Sequence, residues 1–402
     1  MREILTERPN LFEPDDYITF CVRIRGKLCA EDLVSAVKAA YEMNESTMSR
    51  IVLQSDGNAF YEMLPESGCK VKITQGDWQE MVRANEKIPF DLKNGELIRS
   101  FVIPRKDEFM LLIMAHHLAG DGKALVYFIE SVMNALSGVK LEFKPLSVLT
   151  REALSERLPF FVKKYIAYCN RKWQAMGGGV FTWEDYYRLH NSYWKNNSSH
   201  IRYRTFSVDE TAYIMERAKA IGVSVNSYLV TAFLQENSKN RVVGIPVSIR
   251  EKGDKSMTNL TSGISISHRF VEKKTFEENA RCVHKKIRKA VKQNKMFVLQ
   301  FMAGFLPSII DGVLLSTHNC VQNPLLKKLA MVMGYAGKKK RDLGVTNLTV
   351  LDIPEVYGEN RIEEIIFIPP SISYSDNIIG VATIGGKMTV AYHGMENNLK
   401  EQ

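Results

Sequence analysis

One apolar segment constrains the fold of this 402-residue chain more than any other, because an unusual polar run follows it. Residues 109–115 read Phe-Met-Leu-Leu-Ile-Met-Ala, and an apolar run of this length is typical of a buried strand. The segment His-His-Leu-Ala-Gly-Asp-Gly follows at 116–122, and residues 123–136 have a helical pattern. The sequence therefore predicts a strand that delivers histidines, a glycine turn and an aspartate to its end, where catalytic groups are often presented.

The two adjacent histidines, His116 and His117, are expected to have different surroundings. Neighbouring side chains of a strand point to opposite faces, so only one of the two can face a given cavity. This geometry argues against a shared metal site. It predicts one working imidazole and no metal ion.

The length and the order of the elements predict two domains of similar size. A single hydrophobic core seldom grows beyond about 250–300 residues. Strand-like and helix-like segments alternate in the first half, and the alternation restarts near residue 201. The glycines at 177–179 and the polar run at 196–199 are typical of a domain junction. We therefore predict an α/β fold with two layered domains, 1–185 and 186–402.

Individual elements are predicted from hydrophobic periodicity. Strands are expected at 17–25, 59–64, 70–74, 97–103, 109–115, 201–207, 242–249, 263–270, 345–351, 362–368, 377–383 and 388–392. Helices are expected at 30–41, 123–136, 159–173, 209–221, 225–236, 276–294 and in part of 297–318. The aromatic stretch at 183–194 is assigned to the junction between the domains.

The charge and the apolar stretches limit the class of protein. The net charge of +9 favours an anionic partner, such as the phosphates of coenzyme A, an acidic carrier protein or an anionic lipid surface. No nucleic-acid-binding motif accompanies the charge, so nucleic acid is not the expected partner. The longest apolar stretches are shorter than a membrane span, and the N-terminus lacks an apolar signal core. We predict a cytoplasmic monomer without an integral membrane segment.

The six cysteines are scattered and show no CxxC spacing. Zinc ribbons need such spacing, and six scattered cysteines do not indicate a dense disulfide framework, so free and mostly buried thiols are expected. The serines Ser371 and Ser373 also lack the GxSxG context of a nucleophilic serine. A serine hydrolase is therefore disfavoured.

The segment at 116–122 has the pattern HHxxxDG, which resembles the signature of condensation-domain and chloramphenicol-acetyltransferase-like acyltransferases. Three further segments resemble landmarks of the same superfamily in the same order. Residues 88–99 are similar to its "pFDL…gpLlR" stretch, residues 244–250 to its "GxPxxxR" segment and residues 346–348 to its "SNL" strand. The resemblance covers most of residues 15–393. Residues 341–345 are a poor match to the DFGWG motif of plant alcohol acyltransferases, which speaks against that branch.

The resemblance implies a fold, a donor and a set of roles. The fold would be two chloramphenicol-acetyltransferase-like domains in a V-shaped pseudo-dimer, with a tunnel between them. The acyl thioester of coenzyme A or of a phosphopantetheine carrier would enter from one side and the nucleophile from the other, with no further cofactor. The second histidine, His117, would be the general base. Asp121 would be structural and would pair with Arg250.

Several neighbouring residues keep two interpretations. His116 is expected to pack or to hydrogen-bond. The amide of Gly122 is a candidate donor to a developing oxyanion, but Gly120 and Gly122 also suit a turn that needs positive φ. Asn347 either contacts substrate or braces a strand edge. The basic run at 338–341 either binds phosphates of a pantetheine carrier or is solvated surface.

These observations predict an acyltransferase that acts on an alcohol or an amine of a small molecule or a lipid, with "TNL" at 346–348 favouring O-acyl transfer. Two alternatives stay open. One is a free-standing condensation enzyme that forms amides between carrier-bound substrates. The other is a catalytically silent binding or regulatory protein on the same fold.

Overall fold

The computed structural model describes residues 1–155, 158–237, 239–375 and 377–397. Its strands are β1 (Arg2–Glu3), β2 (Tyr17–Arg25), β3 (Ser49–Leu53), β4 (Ala59–Met63), β5 (Val71–Ile73), β6 (Ile98–Pro104), β7 (Phe109–His116), β8 (Asn197–Phe206), β9 (Val242–Ser248), β10 (Thr261–Ser267), β11 (Leu343–Val350), β12 (Val356–Tyr357), β13 (Asn360–Ile368), β14 (Asn377–Ile384) and β15 (Lys387–Asn397). Its helices are α1 (Arg8–Leu11), α2 (Ala30–Glu42), α3 (Trp78–Glu86), α4 (Gly122–Leu136), α5 (Arg151–Ser155), α6 (Phe160–Ala175), α7 (Trp183–Asn196), α8 (Val208–Ala220), α9 (Val225–Glu236), α10 (Phe276–Asn294), α11 (Phe297–Ala303), α12 (Pro307–Thr317) and α13 (Pro324–Met333).

The first large sheet carries the predicted strand at its centre. Its order is β12-β13-β2-β7-β6-β5, and β7 pairs antiparallel with β2 and with β6. Leu111 to His116 are all buried, because helices cover this part of the sheet and both neighbouring strands are present. A central strand with two hydrogen-bonded neighbours fixes the position of whatever follows its last residue.

The second large sheet has the order β10-β9-β11-β14-β15-β8. Strand β11 runs parallel to both of its neighbours, whereas the other pairs of this sheet are antiparallel. A separate hydrophobic core, which includes Val230, Val243 and Val345, lies between this sheet and its helices. The chain is thus mixed α/β, as the sequence predicts, and it contains two six-stranded sheets.

One segment of the second half of the chain belongs to the first sheet. Strand β13 pairs antiparallel with β2, where Ile366 lies opposite Cys21. The helices α12 and α13 likewise contribute Leu314 and Leu326 to the core of the first sheet. The boundary between 185 and 186 stays a prediction, but these elements cross it.

The aromatic stretch, to which the sequence analysis assigned no helix or strand, is a helix, α7. Thr182 and Asp185 form a capping box, in which the Asp185 side chain accepts the backbone N–H of Thr182 at 2.8 Å. Tyr186, Leu189 and Trp194 are buried on one side of the helix. The spacing of these residues supplies an apolar face that the surrounding polar residues obscure in the sequence.

Among the described residues, no single helix is long and apolar enough to cross a membrane. Helices α11 and α12 reach that length and composition only as a pair, and they are bent by 103° relative to each other.

Candidate active site

Strand β7 ends at His116, and a single 3-10 turn, His117–Ala119, leads from it to helix α4. Gly120 makes this connection possible because its φ is +151°. A Cβ atom at Gly120 would lie 2.7 Å from Cβ of Ala124 and 3.2 Å from the backbone oxygen of Met257. A larger residue would therefore displace the turn that carries His117.

His116 is fully buried in an aromatic environment. Its ring lies beside those of Tyr17 and Phe90, with centroid distances of 6.0 and 5.9 Å. Its Nδ1 accepts the backbone N–H of Leu118 at 3.2 Å, which braces the 3-10 turn. Burial lowers the pKa of His116 to about 3, so the ring is neutral at physiological pH. These contacts fit a packing residue.

The buried His116 is expected to make the protein less stable in acid. Its pKa is about 3 in the folded chain against an ordinary value near 6.5, so only the unfolded chain binds the proton between these values. The contribution of His116 to the free energy of unfolding is complete above pH 6.5. It decreases by about 1.4 kcal/mol per pH unit as the pH falls below this value. When the pH falls from 6.5 to 5, the free energy of unfolding measured in urea should decrease by about 2 kcal/mol less for His116→Phe than for the wild type. Equal losses would contradict this description of His116.

His117 is held at two points and remains half-buried. Its backbone N–H donates to the backbone oxygen of Asp16 at 3.0 Å. Its Nδ1 lies 3.0 Å from the side-chain amide nitrogen of Asn259. Nε2 makes no hydrogen bond to the residues that the structure describes, so it is the ring atom left for a ligand.

Two opposing effects act on the pKa of His117. Burial lowers it, while the negative charge of Asp121 and a hydrogen bond with the backbone of His117 itself raise it. Burial is the largest effect, and the pKa lies below the ordinary histidine value. The imidazole is therefore neutral near pH 7, which is the form that can accept a proton.

Asp121 ties the start of α4 to the second half of the chain. Its Oδ1 accepts the backbone N–H of Ala124 at 2.8 Å and caps the helix. Nη2 of Arg250 lies 3.2 Å from both carboxylate oxygens, and both side chains are at most 4% exposed. Oδ2 also accepts the N–H of Leu260 and the hydroxyl of Thr261, at 2.8 and 3.1 Å. The hydrogen bonds and the ion pair of this carboxylate therefore serve the structure.

Asn259 is the site residue that the sequence reasoning missed. The tetrapeptide Thr-Asn-Leu-Thr occurs twice, at 258–261 and at 346–349, and only the second was singled out. The structure brings the first copy to His117, because Leu260 and Thr261 bond Asp121 and thereby place Asn259 against the ring. The sequence feature that could have identified Asn259 is its position, nine residues after Arg250.

Asn347 lies on β11, where its Oδ1 accepts the backbone N–H of Thr349 at 2.7 Å. Thr349 has a φ of 64°, and the pairing of β11 with β14 shifts between Asn347 and Val350. The side chain thus braces an irregular strand end. A role for Asn347 in substrate binding stays a prediction.

Gly122 is the first residue of α4, and it lacks the positive φ that was expected of it. A Cβ atom there would lie 3.0 Å from Leu348 and 3.5 Å from Phe367, so close packing explains the glycine. Its amide stands at the positive end of a 15-residue helix. Whether this amide stabilises an oxyanion stays a prediction.

The basic run at 338–341 is only partly free surface. Lys338 and Lys339 are exposed, whereas the Arg341 guanidinium stacks 4.2 Å from the Tyr374 ring and donates to Ser265 at 3.0 Å. Among the described residues, no group of three His, Cys, Asp or Glu side chains is arranged to hold a metal ion.

No protein-family model matches the chain. Two synthetases match part of it: bacitracin synthase 3 from Bacillus licheniformis is 25% identical over 150 residues, and nonribosomal peptide synthetase kk1B from Curvularia clavata is 26% identical over 140 residues. The matched segments cover 36% and 33% of this chain but only 2% and 1% of the synthetases. The chain thus spans a small part of the length of these relatives.

Solved structures match nearly the whole chain at low sequence identity. The first condensation domain of the calcium-dependent antibiotic synthetase, in complex with a substrate analogue, has a TM-score of 0.65 and 15% identity over 98% of this chain and 91% of that chain. Polyketide synthase associated protein 5 from Mycobacterium tuberculosis has a TM-score of 0.60 and 13% identity, over 98% and 92%. The condensation domain of the Monacolin K polyketide synthase MokA has a TM-score of 0.57 and 14% identity, over 96% and 87%. The chain has the fold of these condensation domains, which is the fold class that the resemblance of the HHxxxDG motif implies.

Proposed function

We propose that this protein is an acyltransferase that moves an acyl group from a thioester to an alcohol or an amine. The donor is acyl-CoA or an acyl-carrier protein. The observation that carries the proposal is the placement of His117: a neutral, half-buried imidazole at a strand end, with its backbone N–H and Nδ1 engaged and Nε2 open. A base that is rigid and uncharged near pH 7 suits the removal of a proton from a weakly acidic acceptor.

In the proposed reaction, Nε2 of His117 takes the proton from the acceptor hydroxyl or amine as that atom attacks the thioester carbonyl carbon. The tetrahedral intermediate then collapses, its C–S bond breaks, and the thiolate leaves and takes the proton back from His117. The amide of Gly122 is the proposed donor to the oxyanion, because a helix N-terminus favours negative charge. Atoms balance without an acyl-enzyme or a further cofactor.

A basic Nε2 requires the proton of the neutral ring to be on Nδ1. A half-turn of the Asn259 amide would place its oxygen at Nδ1 to accept the same proton. We therefore assign Asn259 a positioning role, through the tautomer of His117.

A second candidate function is amide formation between carrier-bound substrates. The partial sequence match to kk1B favours it, because that relative is named a nonribosomal peptide synthetase. The two candidates share the base and the thioester and differ in the acceptor. A catalytically silent binding protein with this fold would not catalyse the reaction and would not require an accessible Nε2.

The proposal is tested by thiol release. The protein is incubated with a panel of acyl-CoAs and with acyl-phosphopantetheine carriers, each with and without alcohols and amines, and free thiol is measured over time. The proposal predicts release that depends on an acceptor. A further arm with carrier-bound amines as acceptors separates the two candidate functions, because only amide formation between carrier-bound substrates requires such an acceptor. No acceptor-dependent release with any donor would favour the silent binding protein.

The transfer is expected to proceed through a ternary complex without an acyl-enzyme. Burial raises the pKa of the Cys21 thiol, and it raises that of Cys69 to about 12, so neither is a ready nucleophile. The Ser373 hydroxyl donates its single proton to Glu13, so the neighbouring His318 does not take that proton to activate the serine. Initial rates with both substrates varied should give intersecting lines, and protein incubated with donor alone should keep its mass. Parallel lines with a stable acyl adduct would require a covalent mechanism instead.

A further inference from the structure

Helix α6 lies at the surface, with one face buried and the opposite face in water. Its buried residues are three or four positions apart and therefore share one side of the helix: Val162, Ile166, Cys169 and Trp173. The indole N–H of Trp173 donates to the hydroxyl of Ser308 at 3.0 Å. The buried side thus anchors α6 to α12. The opposite side, which we call the outer face, contributes nothing to the core.

The outer face of α6 carries aromatic rings that lie largely in water. Phe160 and Phe161 are 72% and 73% exposed, and Tyr168 is 51% exposed. All three project away from the side that the buried residues occupy, because none of them falls in the spacing of that side. Single exposed apolar residues are common on protein surfaces, but several rings on one helix face indicate an interaction site.

The charges on the same helix are all positive. Lys163, Lys164, Arg171 and Lys172 are exposed, and residues 157–183 contain no aspartate or glutamate. None of these four cations forms an ion pair with a residue that the structure describes. The outer face therefore complements a surface of negative charge.

Aromatic rings and cations alternate along the outer face. Nζ of Lys164 lies 4.5 Å from the centre of the Phe160 ring, and Nζ of Lys172 lies 5.8 Å from the centre of the Tyr168 ring. These are cation–π distances, and each pair joins a ring to an ammonium one turn further along the helix. A partner of this face must therefore accept apolar rings and bind cations at the same place.

Two other surface helices have one of these features without the other. Helix α10 exposes Lys285 and Lys289 but carries no exposed aromatic ring. Helix α8 exposes Tyr213, which is 62% exposed, but Asp209 and Glu210 stand in its first turn. They are therefore suitable controls for charge alone and for an exposed ring alone.

We propose that the outer face of α6 docks on an anionic lipid membrane. Phe160 and Phe161 enter the boundary between the headgroups and the acyl chains, and the lysines and Arg171 lie beside the lipid phosphates. Aromatic rings beside cations on one helix are typical of segments that bind this boundary. A protein partner would need a pocket shaped for two protruding rings, whereas a lipid layer adapts to them. This surface goes beyond the transfer reaction and does not depend on it.

The proposal is tested by co-sedimentation of the full chain with vesicles in the absence of any thioester. One set of vesicles is phosphatidylcholine alone, and the other contains equal parts of phosphatidylcholine and phosphatidylserine. Binding to the second set should be at least about tenfold tighter and should weaken as sodium chloride is raised, because salt screens the lysines from the lipid charge. Undetectable binding to the phosphatidylserine vesicles, or equal binding to both sets, would overturn the proposal.

Two double variants locate the binding surface. Phe160→Ser with Phe161→Ser removes the rings, and Lys163→Glu with Lys164→Glu reverses two charges. Each double variant should weaken binding to the phosphatidylserine vesicles by at least about tenfold. All four side chains are exposed, so the fold should be retained, which circular dichroism checks. Unchanged binding in either folded variant would refute the assignment to α6.

The controls make the same kinds of change on the other two helices. Tyr213→Ser on α8, and Lys285→Glu with Lys289→Glu on α10, should keep vesicle binding within about threefold, because charges beyond a Debye length of the membrane are screened. Losses as large as those of the α6 variants would show that net charge alone binds the lipid, against the proposal. If the α6 variants bind vesicles normally but lose binding to an acyl-carrier protein, the outer face serves a protein partner and the membrane assignment is wrong. Acyl transfer is measured separately, by thiol release.

Discussion

Replacing His117 by alanine is expected to lower kcat/KM for acyl transfer by about 10²–10⁴-fold, the usual contribution of a general base. The side chain is half-buried at the end of β7, and its one side-chain hydrogen bond to the described residues is to Asn259. Its backbone N–H, which bonds Asp16, is retained in the variant. Folding should therefore survive while the base is lost. The measurement is kcat/KM with both substrates varied, beside a thermal unfolding curve.

The matched control is the neighbouring histidine. His116→Phe keeps an aromatic ring between Tyr17 and Phe90 and should retain activity within about tenfold, because His116 is assigned to packing. A large loss in His116→Phe with near wild-type activity in His117→Ala would reverse the two assignments. The pH profile adds a second readout. The acid limb of the wild type should fall below the ordinary histidine pKa, because burial lowers the pKa of His117.

Truncation of Asp121 or of Arg250 is expected to lower the free energy of unfolding by about 3–5 kcal/mol. Each change removes the nearest opposite charge from a side chain that is at most 4% exposed. Without Asp121, Arg250 keeps only the more distant Asp254, at 3.5 Å. Asp121→Ala should cost more than Arg250→Ala, because Asp121 also caps α4 and bonds Leu260 and Thr261. Urea unfolding followed by circular dichroism measures both.

The double variant tests whether Asp121 and Arg250 stabilise each other. Asp121→Ala with Arg250→Ala should cost less than the sum of the single changes, by about 0.5–3 kcal/mol, because the second change leaves no further charge unpaired. Lys255→Ala, which removes an ion pair with Glu130 whose lysine is 42% exposed, is a suitable control and should cost about 0–1 kcal/mol. Strict additivity of the two buried changes would show that Asp121 and Arg250 do not stabilise each other.

The site strand could be predicted because its information is local. The apolar run at 109–115 and the polar motif behind it give β7, the turn and α4 without knowledge of their partners. Local periodicity also gives α2, α9 and α10 within a residue or two of their observed ends. Each of these segments shows one clear apolar face or one continuous apolar run.

The features that the sequence reasoning missed depend on distant parts of the chain. Asn259 belongs to a tetrapeptide that occurs twice, and only the bonds of Leu260 and Thr261 to Asp121 distinguish the copies. Strand β13 joins a sheet whose neighbouring strand lies more than 300 residues earlier, a pairing that no local pattern encodes. Nothing local in the sequence indicates that Asp15 and Asp16 are buried. Their burial depends on the elements that pack around them.

The central claim, that the protein transfers an acyl group with His117 as the base, is tested most directly by a product balance. A thioester and an acceptor that support thiol release are incubated with the wild type and with folded His117→Ala, and thiol and acylated acceptor are quantified by mass spectrometry. The account predicts equal amounts of thiol and acylated acceptor with the wild type, little of either without acceptor, and about 10²–10⁴-fold slower formation with His117→Ala. Thiol release without acylated acceptor, or product formation by His117→Ala at the wild-type rate, would contradict it.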